Sequence, residues 1–96
     1  MILEAAILNI IPDQTDQFEA AFTQAEPIIT SMPGYISHQL QICIENKNRY
    51  VLLVNWQTLE DHTIGFRQSP QYQIWKKLLH HFYHPFPTVE HYQPIK

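Results

Sequence analysis

The side chains with the most chemistry in this sequence fall in one stretch: Asn55, Trp56, His62, Phe66, Tyr72 and Trp75. An imidazole titrates near pH 6.5, so His62 can take or give a proton close to neutrality. His62 precedes Phe66 by four residues and shares its helical face, so it can reach whatever volume Phe66 borders. A plainer reading stands beside this one. His62 follows Asp61 and suits a helix-surface or capping position, and Trp56, Phe66, Tyr72 and Trp75 suit an ordinary core. The two readings are compatible, since a pocket and a core share residues. His38 lies on the apolar side of a strand, as a core imidazole with one satisfied hydrogen bond or as a pocket residue. His80, His81, His84 and His91 form a second group. His80 and His84 have the i, i+4 spacing that holds one metal ion, yet Pro85 stops the helix there and the nearest carboxylate is Glu90. Imidazoles also suit a helix C-terminus on dipole grounds, so the expectation is a helix-end surface group with no metal. Cys43 has no neighbouring base and reads as a small buried hydrophobe.

These residues need a scaffold of one domain over 1–96. The chain is 45% hydrophobic, 12% aromatic and 16% charged. Such a length buries only about 60–65% of its unfolded surface, so this much apolar and aromatic material calls for tight packing or a second chain. Six Lys and Arg against nine Asp and Glu give a net charge of -3. No basic stripe is present, which argues against nucleic acid as a partner. One cysteine excludes an internal disulfide framework and fits a reducing cytoplasm. The opening run Ile2 to Leu8 has no basic flank, contains Glu4 and meets Pro12 too soon to cross a bilayer, so neither a signal peptide nor a membrane anchor is expected.

Residues Ile2 to Ile11 are apolar on both alternating faces, as in a strand covered on both sides. Asp13 or Thr15 can cap a helix carrying Phe18, Ala21, Phe22, Ala25, Ile28 and Met32, with a change of course near Thr23 to Pro27. Met32-Pro33-Gly34 is a turn. Tyr35 to Ile44 alternates, with Ile36, His38, Leu40, Ile42 and Ile44 on its drier face. A polar turn leads to Tyr50 to Gln57, again apolar on both faces. Thr58 and Asp61 have capping-box spacing, Ser69-Pro70 restarts a helix bearing Tyr72, Trp75, Leu79 and Phe82, and Thr88 to Tyr92 is a last strand. The apolar tail Phe82 to Pro87 should pack across the domain or a partner. Strand, helix, strand, strand, helix, strand is the ferredoxin-like α+β order βαββαβ, with two helices on one face of an antiparallel four-stranded sheet. The other face is also apolar. A second copy is its only available cover, which predicts a homodimeric α+β barrel with a small pocket between sheet and second helical region in each subunit.

Glu26-Pro27, Pro33-Gly34, Asn48-Arg49-Tyr50, Trp56 and Ser69-Pro70 with Tyr72, in this order, resemble the antibiotic biosynthesis monooxygenase domain family of dimeric α+β barrels. The resemblance runs through essentially the whole chain. Members of that family differ in substrate: some oxidise aromatic polyketides, others degrade haem or act on quinols or signalling sugars. Where many members have His or Trp three residues before the Ser-Pro, this chain has Phe66. The Asn and His of the haem-degrading relatives correspond to Ala6 and Lys76, so haem cleavage is disfavoured and no cofactor is expected. A Glu common two residues before the strand-three Trp is Val54 here. The resemblance implies cofactor-independent oxygenation of a small aromatic or quinol-like molecule. That chemistry needs a base, donors for a developing oxyanion or peroxide, and a dry apolar box. His62 is the candidate base; Asn55 and Tyr72 are candidate catalytic donors; Trp56, Phe66, Trp75 and His38 are candidate substrate contacts. A non-catalytic binding or structural homodimer is the alternative.

Overall fold

The computed structural model describes residues 1–96. Its elements are β1 (Ile2–Asn9), α1 (Thr15–Thr30), β2 (Tyr35–Ile42), β3 (Arg49–Trp56), a π-helical turn (Asp61–Phe66), α2 (Pro70–Leu79), a 3-10 turn (His80–Phe82) and β4 (Val89–Tyr92). The four strands form one antiparallel sheet in the order β2-β3-β1-β4. This is the ferredoxin-like α+β fold, and its extents of 35 × 34 × 19 Å describe a thin slab with helices on one side only.

Strand alternation sorts the central residues into two sets. Glu4, Ala6 and Leu8 of β1 and Tyr50, Leu52, Val54 and Trp56 of β3 are buried beneath the helices. Against them pack Phe18, Phe22, Ala25 and Ile29 from α1 and Trp75 and Leu79 from α2. Phe18 is the hub, its ring 5.0 Å from Tyr50 and 5.9 Å from Phe82. Each such large apolar side chain contributes about 1.5–3 kcal/mol through burial. On the other face Leu3, Ala5, Val51 and Leu53 are only partly covered and Ile7 is 48% exposed.

Local departures from the expected pattern have simple causes. The N-cap of α1 is Gln14, without a side-chain cap, because Asp13 is taken up by the preceding turn in a left-handed conformation (φ 68°). Asp tolerates that region better than most residues. The helix does not stop or change element at Pro27 but continues to Thr30. Proline removes one donor, and so near the C-terminus the remaining ladder suffices. A β-bulge between Tyr35 and Ser37 sets Tyr35 opposite Trp56. It leaves Ile36 45% exposed instead of on the face of His38. The aromatic tail packs on its own chain: Ile11 N–H donates to the Phe82 carbonyl (3.0 Å), His84 N–H to the Asn9 carbonyl (2.8 Å), and Phe82 is buried. Phe86 remains 62% exposed.

Candidate active site

The segment that carries His62 is fixed at both ends by hydrogen bonds written in the sequence. Thr58 N–H donates to Asp61 Oδ2 (3.1 Å) and Asp61 N–H to Thr58 Oγ1 (3.2 Å), a complete reciprocal capping box. Gly34 lies against it with φ 83°, and any Cβ there would fall on the Asp61 carboxylate. Downstream, Ser69 Oγ accepts from Tyr72 N–H (3.1 Å) and donates to the Phe66 carbonyl (2.6 Å). Between these anchors the backbone widens into the π-turn, with Arg67 N–H bonded to the His62 carbonyl at 3.1 Å. Such turns often reshape functional sites. Here the turn presents His62, Phe66 and Arg67 to one volume.

That volume is a cavity of about 360 Å³ between the sheet and α2. Phe66, Trp75, Tyr83 and Phe86 form aromatic walls, Ala6, Leu8 and Leu52 an aliphatic base, and Glu4, His62, Arg67, Tyr72 and His80 its polar groups. The size and balance match those of small-molecule sites, which run from about 300 to 1,000 Å³.

Glu4 is the residue that sequence reasoning passed over as a functional group. It is 6% exposed, and its Oε1 accepts from Trp56 Nε1–H at 2.9 Å and lies 3.3 Å from His62 Nε2. On the other side of that ring, His62 Nδ1 is 2.8 Å from His91 Nε2. Glu4 faces inward with Ala6 and Leu8 by strand alternation alone, which was the available signal. His91 arrives through β4, where it is the register partner of Glu4.

Burial governs the electrostatics. His62 is 3% exposed, and desolvation, with Arg67 and His91 adding to it, lowers its pKa to about 3. Desolvation raises Glu4 above the ordinary carboxyl range, outweighing the Trp56 hydrogen bond and Arg67. The His62–Glu4 contact therefore holds a neutral imidazole, not an imidazolium ion pair. Burial also raises Tyr72 and lowers His80 and His91, the latter two with help from Lys76 and Arg67 respectively.

The structure gathers His62, Phe66, Tyr72 and Trp75 around this cavity. Trp56 is fully buried behind it, stacked on His62 at 5.5 Å and 24°. Asn55 lies on the opposite sheet face, donating to Ser37 Oγ (3.0 Å), because its neighbours Val54 and Trp56 point under the helices. His38 belongs to a second cavity between α1 and β2, where Nδ1 meets the Tyr35 hydroxyl and Nε2 meets Glu26 Oε2, both at 2.6 Å. The C-terminal histidines do not act as one helix-end group: His80 lines the first cavity, His91 joins His62, and His81 and His84 stay exposed. No three His, Cys, Asp or Glu side chains converge in a metal-binding arrangement. Ala6 lies at the cavity base and Lys76 is exposed on α2, so neither offers a haem ligand there. No helix is long and apolar enough to cross a membrane.

Residues 1–78 match the family model for antibiotic biosynthesis monooxygenase. The uncharacterized protein YczJ of Bacillus subtilis (strain 168) is 58% identical over 95 residues, covering 99% of this chain and 100% of that protein. A solved structure of an antibiotic biosynthesis monooxygenase type protein from Bordetella bronchiseptica superposes with a TM-score of 0.94 at 35% identity, covering 99% and 97% of the two chains. SnoaB, a cofactor-independent oxygenase from Streptomyces nogalater, shares the fold alone: TM-score 0.74, 18% identity, 99% and 93% covered.

Proposed function

The chain belongs to the antibiotic biosynthesis monooxygenase family, and on that footing we propose that its cavity binds a small phenol or quinol-like molecule and oxygenates it without a cofactor. The observation that carries this reading is a buried carboxyl–imidazole pair opening on a cavity with aromatic walls. A phenol with a free para carbon can supply every electron the reaction needs. Its hydroxyl proton passes to the protein, the para carbon of the anion reduces oxygen and bonds to it, and loss of water from the hydroperoxide leaves the quinone. One oxygen atom ends in the ring and the other in water. Phe66 and Trp75 hold the ring, the Tyr72 hydroxyl donates to the peroxide, and Arg67 offsets the negative charge. Asn55, on the other face, has no part in this site.

The uncovered face is proposed as the homodimer interface. Leu3, Ala5, Ile7, Val51 and Leu53 form an apolar centre, with Ser37, Gln39, Gln41 and Glu90 as a polar rim. That is the anatomy of a protein–protein contact. A solution mass near twice 11.4 kDa is expected. A reducing cytoplasm suits the free Cys43.

Oxygen uptake with a panel of phenols and hydroquinones tests the activity. The expected result is protein-dependent uptake for at least one para-unsubstituted phenol, with quinone and no accumulated peroxide. Saturable ligand binding with no uptake across the panel would favour the non-catalytic binding dimer, a reading consistent with the contacts that already flank both His62 nitrogens.

A further inference from the structure

We infer that Glu4, through its Oε2 atom, is the proton acceptor that this cavity offers to a hydroxyl-bearing aromatic ligand, with His62 and His91 as the residues that position it. The inference rests on the aromatic-ligand reading above and deepens it by naming the atom and the ligand group it meets.

With Glu4 ionised, Oε1 can only accept, so the His62 tautomer that suits the 3.3 Å contact carries its hydrogen on Nε2. A neutral imidazole has one hydrogen, so that tautomer leaves His62 Nδ1 as an acceptor for His91 Nε2–H across 2.8 Å. Trp56 Nε1–H donates to the same carboxylate oxygen at 2.9 Å. In that tautomer the donors of His91, His62 and Trp56 all point toward the carboxylate, and His62 keeps no lone pair for a ligand.

The other carboxylate oxygen is different. Both contacts of Glu4 fall on Oε1. No fully buried side-chain oxygen in the molecule lacks a hydrogen-bond partner, so the unengaged Oε2 is open to the cavity that Glu4 lines. The groups that face Glu4 from the surrounding elements are Trp56 on β3, His62 and Arg67 at the π-turn, Tyr72 on α2, Tyr83 before β4 and His91 on β4. Arg67 has donors only, and the two tyrosines are held protonated by burial. His80 is the one other acceptor, and it sits at the end of α2 against the exposed Phe86 (4.9 Å).

The step is a proton transfer. The ligand O–H bond breaks, an O–H bond forms at Glu4 Oε2, and the negative charge moves from the carboxylate to the ligand oxygen. Arg67, which has no ion-pair partner within the chain, stabilises the anion in either place. Desolvation makes Glu4 a stronger base than an ordinary carboxylate, as a phenol requires.

The test uses a dead-end ligand pair, 4-ethylphenol and its methyl ether, whose blocked para carbon prevents quinone formation. Binding is followed by tryptophan fluorescence for the wild type and for Glu4→Gln, Glu4→Asp, His62→Gln and His80→Gln, each checked for folding by circular dichroism. The wild type should prefer phenol over ether by about tenfold to a hundredfold, the value of a hydrogen bond to a charged acceptor. That preference should grow as pH rises through the carboxyl pKa. In Glu4→Gln it should shrink several-fold and become independent of pH. Glu4→Asp, which withdraws the oxygen but keeps the charge, should fall between the two. His62→Gln should move the pH midpoint while keeping a preference, and His80→Gln, which removes the competing acceptor from the cavity wall, should keep the preference for phenol over ether whatever it does to overall affinity.

A preference intact in Glu4→Gln, a preference lost in His80→Gln, or no saturable binding of 4-ethylphenol by the wild type would each overturn the inference. These results are separable from the oxygenation reading. A Glu4-dependent preference without oxygen uptake by any phenol supports the acceptor and removes the oxygenase; oxygen uptake unaffected in Glu4→Gln does the reverse.

Discussion

Two glutamate–histidine pairs lie on the helix-covered side of the sheet, and they have been put to different uses. In one, His38 spans β2 and α1, with the Tyr35 hydroxyl on one nitrogen and Glu26 on the other, each at 2.6 Å. In the other, His62 lies between Glu4 and His91 at 3.3 and 2.8 Å. The first has the shorter contacts, yet its glutamate side chain is 40% exposed, whereas that of Glu4 is 8% exposed. Hydrogen-bond geometry is therefore not what separates a clip from a proton-transfer site. Water around Glu26 screens its charge, so the first pair mainly ties a helix to an edge strand. The burial of Glu4 and His62 moves both partners away from their ordinary titration and makes the carboxylate worth placing beside a ligand.

The sharpest way to break this comparison is to neutralise each glutamate. Glu4→Gln should lower turnover of a phenol by about a hundredfold to ten-thousandfold, the usual value of a positioned base, while Glu26→Gln leaves it within about twofold. Steady-state oxygen uptake measures both. Next in size is stability. His62→Ala opens a void beside a carboxyl that loses a partner, and should cost about 2–4 kcal/mol in urea unfolding, against about 1 kcal/mol for His38→Ala at its half-solvated pair.

The pH dependence is a finer probe. The folded pKa of His62, about 3, lies below its unfolded value near 6.5. Its contribution is thus fully present above pH 6.5 and is lost as pH falls from there toward 3. Relative to His62→Gln, the wild type should lose melting temperature over that window. Glu4 has the opposite sign: its raised folded pKa gives a contribution fully present below the unfolded carboxyl value near 4.3 and lost as pH rises through the folded one. Relative to Glu4→Gln, the wild type should weaken on the alkaline side of that transition. The smallest effect belongs to Asn55→Ala, which removes a hydrogen bond on the far face and should change cavity binding by less than about twofold and monomer stability by about 0.5 kcal/mol or less.

Much of this architecture was legible in the sequence, because two simple periods carry it. The two-sided apolar runs of β1 and β3, the Thr58–Asp61 box and the Ser69-Pro70 cap are all realised. The cavity position followed from His62, Phe66, Tyr72 and Trp75 on the second helical region. The misplaced residues share one cause. Counting by two from Trp56 puts Asn55 outside, and counting by two from Ala6 puts Glu4 inside, but a lone acid in an apolar run reads as an interruption rather than a core group. The His62–His91 contact needed the β1–β4 register, and the side of Ile36 needed the bulge at Tyr35; neither leaves a local mark in the chain. The titration of His62 depends on burial by residues far apart in sequence, so its type alone did not show that its pKa is lowered.

The most direct measurement of the central claim is an oxygen-electrode comparison of wild type, Glu4→Gln and Glu26→Gln with a para-unsubstituted phenol near neutral pH. The account predicts phenol-dependent uptake in the wild type and in Glu26→Gln and its near-complete loss in Glu4→Gln. Equal uptake by all three proteins, or none by any of them across the phenol panel, would contradict it.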